Sequence, residues 1–413
     1  MGTPHNIALF IDGTWNKPSA TKPTNVYKLF RASCAEPTGM HPQVTYYLPG
    51  VGHDIRQHRV GAPAGWYGGP WSAPLPIRPE LPRGLDAARW PLGGLFGAGT
   101  TARVKEAYAL LCHHFIRDRG DRIYVFGFSR GAFAARSLAG FVFRVGTLLA
   151  NKLHLVEAAY AVYESGIDPN DTLLAGFLQA AADVQMLQQA DDPAALPLHF
   201  VGLWDTVAAL GLPGRAALFT ADRTEHHQTT PPLNVLAARH ALALHEFRAD
   251  FKPEVWDGRG HRNLEQVWFP GAHADVGGGC PLPESGLAND ALDWMANEAM
   301  AFDLKVDTRV LREHYSANDR TLHNSISGLF RGFTPELRQA LLKMHDPDES
   351  TSAMPRDVLY FHQSVGRYFL ERSGQVPRRW PSKVVAEMTN VDEAGMRLYI
   401  RNFLLGDLPR GQT

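Results

Sequence analysis

Apolar and polar positions along the chain fall into short runs of two different periods. Ile7 to Ile11 is an unbroken apolar run that stops at Asp12-Gly13-Thr14, which predicts a buried strand delivering a tight loop. Residues 101–118 place Val104, Ala107, Tyr108, Leu111 and Phe115 at helical spacing; Gly120 then punctuates, and Ile123 to Phe126 is again a short apolar strand. The stretch GFSRGAFAARSLAGFVFRVG reads as the next helix. Strand, helix, strand, helix in that order predicts a mostly parallel sheet with crossover helices on both faces, an α/β architecture. Leu198–Trp204 and Glu265–Phe269 supply two further strands, with helical stretches such as 233–246 expected between them.

Two regions break this rhythm. Between Gly52 and Gly99 the periodicity disappears, Pro and Gly dominate, and Trp66, Tyr67, Trp71, Trp90 and Phe96 punctuate the stretch. Residues 53–99 are therefore expected to form a long insertion or lid inside a catalytic domain spanning 1–300, with Trp66 and Trp71 facing a substrate at a membrane boundary, or else with the rings plugged onto the sheet as a satellite core. After Gly286 the pattern turns helical: Leu287, Ala291, Trp294, Met295 and Met300 share one face, and 358–370 predicts another helix. Residues 301–413 are expected to be a helical region packed on the catalytic domain.

Composition narrows the function. The 413 residues are 45% hydrophobic and 20% charged, which excludes a mainly disordered chain. The formal charge of -1 gives no global basic field, so no nucleic-acid partner is expected. Cys34, Cys112 and Cys280 lack the close spacing of a thiolate metal site or redox pair, as suits a chain folded in a reducing cytoplasm. The first residues carry no basic segment followed by a long apolar stretch, and no run reaches the ~20 apolar residues of a spanning helix, so classical secretion and membrane insertion are disfavoured.

The sharpest chemical signal is Gly127-Phe128-Ser129-Arg130-Gly131, directly after the IYVF strand and before a helix. A nucleophile elbow needs that setting: the serine sits on a strained turn, and side chains in place of the glycines would collide with strand and helix. A serine nucleophile needs a histidine base, and the base needs a carboxylate, in the chain order Ser, Asp or Glu, His. Asp205 ends the HFVGLW strand at the sheet's carboxyl edge, where sites of open α/β sheets collect. His273 follows the VWFPGA strand, and Gly277-Gly278-Gly279 beyond it imply a tight turn or a close backbone approach. His323 and His362 compete as bases and rank lower because neither ends a strand candidate. The remaining histidines are expected on solvated or partly buried surfaces.

For an oxyanion hole, the amide after the nucleophile belongs to Arg130, and a second donor should come from Gly13 or Thr14; Asp12 could instead fix that loop by accepting its N–H groups. His273-x-Asp275 offers two metal ligands without a third nearby in sequence, so no metal and no cofactor is assigned. Asp12-Gly13-Thr14 resembles the phosphatases of the haloacid-dehalogenase class, whose nucleophilic aspartate would stand at Phe10, so that reading fails. A non-catalytic hydrolase-like binding module and a carboxylesterase acting on a soluble ester stay as alternatives.

Taken together, FIDGTWN, YLPGVG, GFSRGAFAAR, LWDTV, HALALHEFRADFKPEVW and FPGAHADVGGG resemble the catalytic domain of the α/β-hydrolase family that includes the first class of type VI secretion lipase effectors. The likeness runs from about residue 6 to about residue 300, with a weaker echo around His362. It implies a phospholipase acting on glycerophospholipid acyl esters, with Ser129, Asp205 and His273 as triad. It also implies a membrane-surface substrate, a secretion-apparatus carrier, an immunity protein, and type VI delivery from the cytoplasm of the producing cell.

Overall fold

Seven strands lie side by side: β1 (Asn6–Ile11), β2 (Gln43–Leu48), β3 (Arg122–Phe128), β4 (Leu198–Trp204), β5 (Ala238–Ala243), β6 (Leu264–Phe269) and β7 (Tyr360–Phe361). They form one sheet in the order β2-β1-β3-β4-β5-β6-β7, and every neighbouring pair is parallel. The computed structural model describes residues 3–34, 42–51, 92–164, 198–207, 230–248, 251–257, 261, 263–317, 319–325, 360–362 and 364–365. Helices α1 (Asn25–Ser33), α6 (Gly286–Ala301) and α7 (Thr308–His314) pack on one face. Helices α2 (Leu92–His114), α3 (Arg130–Val145) and α4 (Val156–Glu164) pack on the other. Covered on both sides, β1, β3 and β4 have no solvent face, which is why they read as nearly continuous apolar runs.

This topology fixes where chemistry can occur. From β1 the chain steps to β2 on one side, then crosses back over β1 to β3 on the other. The carboxyl ends of β1 and β3 therefore flank the point where strand order reverses, the place where open α/β sheets leave a crevice. The Asp12 loop follows β1, and Ser129 follows β3. Among the described residues, no helix is long and apolar enough to cross a membrane.

Three expectations are corrected. Within 233–246 the chain forms strand β5, not a helix. Alanine and leucine favour helix intrinsically, but this segment is fully buried and paired on both sides, with β4 and β6, so the ladder decides. Within 358–370, Tyr360 and Phe361 pair with Val267 and Trp268 as strand β7, so the region after 300 extends the sheet as well as adding helix α7. Helix α2 begins at Leu92 and takes in 92–99, Phe96 included, which the sequence assigned to the aromatic loop. Trp66, Tyr67, Trp71 and Trp90 lie outside the described residues.

Candidate active site

Ser129 stands between β3 and α3 with φ 58° and ψ −124°, a conformation that costs a non-glycine residue energy and persists only where the surroundings enforce it. The enforcing contacts are specific. A Cβ on Gly127 would lie 2.4 Å from the carbonyl oxygen of Gly131, and one on Gly131 would lie 2.2 Å from that of Ile11. Only glycine at both places lets α3 sit against the ends of β1 and β3. The Ser129 amide donates to the carbonyl of Trp204 at 3.0 Å, which ties the elbow to the end of β4, one residue before Asp205.

Asp205 is fully buried and also has a positive φ, 39°. Its amide donates to Ala241 at 2.7 Å. One carboxylate oxygen, Oδ1, accepts from the Ala243 amide at 2.9 Å, while Oδ2 meets His273 Nδ1 at 2.6 Å. A carboxylate can only accept, so Nδ1 carries a proton and Nε2 of the neutral ring keeps its lone pair. Burial pushes the His273 imidazole below the ordinary histidine range, and the hydrogen bond and charge of Asp205 pull it partly back. The ring lies against Phe128, the residue before the serine, with centroids 4.6 Å apart, and makes a T-shaped contact with Phe251 at 5.0 Å.

His273 opens helix α5 (His273–Gly277), and the glycines after it are accounted for one by one. A Cβ on Gly277 would fall 1.9 Å from the Phe128 ring. Gly278 has φ 81° and passes so close to α1 that a Cβ would lie 2.6 Å from the Asn25 amide nitrogen; Gly279 has φ 101°. Both the tight turn and the close approach inferred from the sequence are present.

Sequence reasoning missed the groups that hold this helix. His245, expected at a surface, is buried; its Nδ1 accepts from the Gly271 amide at 2.7 Å, and burial pulls its pKa down to about 3, so it stays neutral. Glu246 is also buried; it accepts from the His273 amide at 3.2 Å and from Arg248 Nε and Nη2 at 2.8 Å each. Arg248 in turn lies over Phe251 at 3.4 Å, closing a chain of contacts from the ion pair back to the His273 ring. The signal was a glutamate inside an apolar run, LALHEF, since a buried carboxylate is costly unless paired. His240 is likewise buried against expectation, accepting from the Thr206 amide at 3.1 Å.

Asp12 organises the loop after β1. Its Oδ1 accepts from the Gly13 amide at 2.7 Å, and its Oδ2 accepts from Thr24 Oγ1 at 2.6 Å and Tyr47 Oη at 2.5 Å. Burial raises its pKa to about 6 against these donors. A Cβ on Gly13 would stand 3.0 Å from Ser129 Cβ, so this loop borders the serine directly. Of the three amides expected at an oxyanion hole, that of Gly13 is engaged by Asp12. Trp15 follows with φ 63° and is 59% exposed.

The rival histidines have other partners. His362 does end a strand, β7, contrary to expectation, but its Nδ1 faces Ser364 Oγ at 2.9 Å and its ring stacks on Phe269. His323 lies between two carboxylates, Asp275 on Nδ1 at 2.5 Å and Glu284 on Nε2 at 2.9 Å. The hydrogen bond it donates to Asp275 leads the causes that push its pKa up to about 11, and an imidazole held charged is no base.

A parallel sheet with a strained serine between strand and helix, and a buried His–Asp pair at the same edge, defines an α/β-hydrolase-like protein. More narrowly, the chain belongs to the family of type VI secretion phospholipase effectors described as Tle1-like, catalytic domain, whose sequence model matches residues 5–298. It is 31% identical over 251 residues to the uncharacterized protein YEL023C of Saccharomyces cerevisiae, covering 60% of this chain and 32% of the yeast protein. The chain thus spans about a third of that relative's length. Among solved structures, it is similar to an uncharacterized protein from Pseudomonas aeruginosa, at 18% identity and TM-score 0.40, over 97% of this chain and 62% of that one. It is also similar to the Tle1 effector in its complex with the VgrG spike of the type VI secretion system, at 17% identity and TM-score 0.35, over 68% and 52% of the respective chains.

Proposed function

We propose that the chain is a serine-dependent phospholipase of A type, cleaving glycerophospholipid acyl esters with Ser129 as nucleophile, His273 as base and Asp205 as its carboxylate partner. The observation that carries this reading is the 2.6 Å contact of His273 Nδ1 with buried Asp205, beside a serine held at φ 58°. His273 Nε2 takes the Ser129 proton as Oγ attacks the ester carbonyl, and the Thr14 and Arg130 amides receive the oxyanion. Collapse of that intermediate leaves the acyl group on Ser129 and expels the lysophospholipid alkoxide, to which His273 returns the proton. Water, deprotonated by His273, then attacks the acyl-serine and releases the fatty acid. Gly13 brings the loop close to Ser129, and Asp12 holds its shape.

The family's effector description supports delivery by the type VI route, and the proposal extends to a secretion-apparatus carrier and, in the producing cell, an immunity protein as partners. Trp66 and Trp71 keep the role the sequence suggests, contact with the lipid surface. The test is a panel of defined phospholipids analysed by mass spectrometry for wild type and Ser129→Ala. A free fatty acid and its matching lysophospholipid are expected from wild type, at a rate lowered by at least about a thousandfold in the variant. Turnover of soluble esters without lipid cleavage would reassign the chain as a carboxylesterase, and no turnover of either as a binding module.

A further inference from the structure

The sequence places Asp275 beside His273 without a third ligand near it, and the fold supplies the missing groups. Cys280 comes from the turn after α5, and His323 from the segment 319–325. Their donor atoms and that of Asp275 all lie within 4.8 Å of one another. Cys280 Sγ is 3.5 Å from His323 Nδ1 and 3.7 Å from Asp275 Oδ1, and Nδ1 is 2.5 Å from that same oxygen. From this convergence we propose that Asp275, Cys280 and His323 bind a divalent transition-metal ion, zinc by ligand type, which clasps the helix carrying His273 to the 319–325 segment.

Ligand chemistry and spacing both support it. One thiolate, one imidazole and one carboxylate make a mixed set that suits zinc and leaves a fourth position for water, which can reach it past the partly exposed His323 side chain. Bond lengths of about 2.0–2.3 Å put neighbouring ligand atoms on a tetrahedral ion roughly 3.3–3.7 Å apart. The two sulfur distances already meet that spacing. The Asp275–His323 distance must open by about 0.9 Å, the separation between a hydrogen bond and two ligands sharing an ion.

The surroundings are those of a supported site. Asp275 Oδ2 accepts from the Ala272 and His323 amides at 3.0 Å each, which leaves Oδ1 turned toward Cys280 and His323. Glu284 Oε2 takes the other ring nitrogen of His323, the carboxylate–histidine relay that orients a metal-binding imidazole, and Nδ1 is thereby directed at Asp275 Oδ1 and Cys280 Sγ. Binding releases the Cys280 thiol proton and the His323 Nδ1 proton to solvent, and the ion takes their place.

The experiment uses the full chain, stripped with a chelator and titrated with cobalt(II) and then zinc(II). Expected is one cobalt per chain with a thiolate-to-metal charge-transfer band, displaced by zinc, together with a rise in melting temperature. Cys280→Ser should abolish the band and weaken binding more than about a hundredfold, and Glu284→Gln, one shell out, should weaken it about 10–100-fold. Ser129→Ala should bind like wild type, and near-ultraviolet dichroism of each stripped variant establishes that it is folded. Absence of stoichiometric cobalt binding in wild type, or a band unaltered in Cys280→Ser, would overturn the proposal and leave Asp275–His323 as a plain ion pair.

Discussion

Replacing Asp205 by asparagine separates the chemistry of the site from its architecture. The amide can still accept from the Ala243 N–H, now bonded to Oδ1 at 2.9 Å, so the turn after β4 keeps that support. On the other side an NH2 group replaces the oxygen that stands 2.6 Å from His273 Nδ1. Two donors cannot face each other, so the imidazole must move its proton to Nε2, the nitrogen assigned to take the serine proton. It also loses the charge that stabilises the imidazolium in the transition state. In serine hydrolases using this arrangement the cost is about 10⁴ in kcat, equivalent to about 5.5 kcal/mol of barrier. Because Asp205 is fully buried and the swap is nearly isosteric, global stability should change by no more than about 1–3 kcal/mol. Hydrolysis of a short-chain nitrophenyl ester measures the first quantity and thermal denaturation the second. A folded Asp205→Asn protein retaining more than about a tenth of wild-type kcat, a loss under about 1.4 kcal/mol, would refute the assignment.

Other consequences follow from the same contacts. Burial lowers the His273 pKa, and the base works only when neutral, so activity should persist on acidification until the pH falls through that lowered value; the acidic limb of kcat/KM should have its midpoint below about 6.5, and one above it would contradict the burial argument. Gly277→Ala puts a methyl 1.9 Å from the Phe128 ring that packs on His273, so it should cost about 1–3 kcal/mol of stability and lower kcat; a variant unchanged in melting temperature and turnover would show that contact to be slack. Glu246→Gln removes the buried carboxylate charge that pairs with the partly buried Arg248 guanidinium and should destabilise by about 3 kcal/mol in chemical denaturation, whereas an unaltered denaturation midpoint would mean the pair contributes nothing.

The parts of this site that were legible in the sequence are those whose constraint is local. Strands β1, β3 and β4 are buried and announce themselves as apolar runs, and the elbow is written in Gly127 and Gly131, which must lack side chains for α3 to close on the sheet. Gly277 to Gly279 likewise signalled close approach before its partners, Phe128 and the start of α1, were visible. What stayed hidden depends on contacts far apart in the chain. Glu246 reaches the His273 amide across 27 positions, and Asp275 meets His323 across 48. No periodicity encodes such pairings. Strand β5 was misread because a short alanine- and leucine-rich run carries no period that separates a buried strand from a helix, and only its two neighbours in the sheet decide. Two-residue β7 is too short to leave any pattern, and it is set by pairing with β6.

The account rests on Ser129 as an activated nucleophile, and covalent trapping addresses that most directly. The full chain is incubated with a fluorophosphonate, then digested and mapped by mass spectrometry, with Ser129→Ala and His273→Ala treated in parallel. Wild type should carry one phosphonyl adduct, on Ser129, formed at a rate that drops by several orders of magnitude in His273→Ala and vanishes in Ser129→Ala. A folded wild-type chain that stays unlabelled, or carries its adduct on a residue other than Ser129, would contradict the serine mechanism.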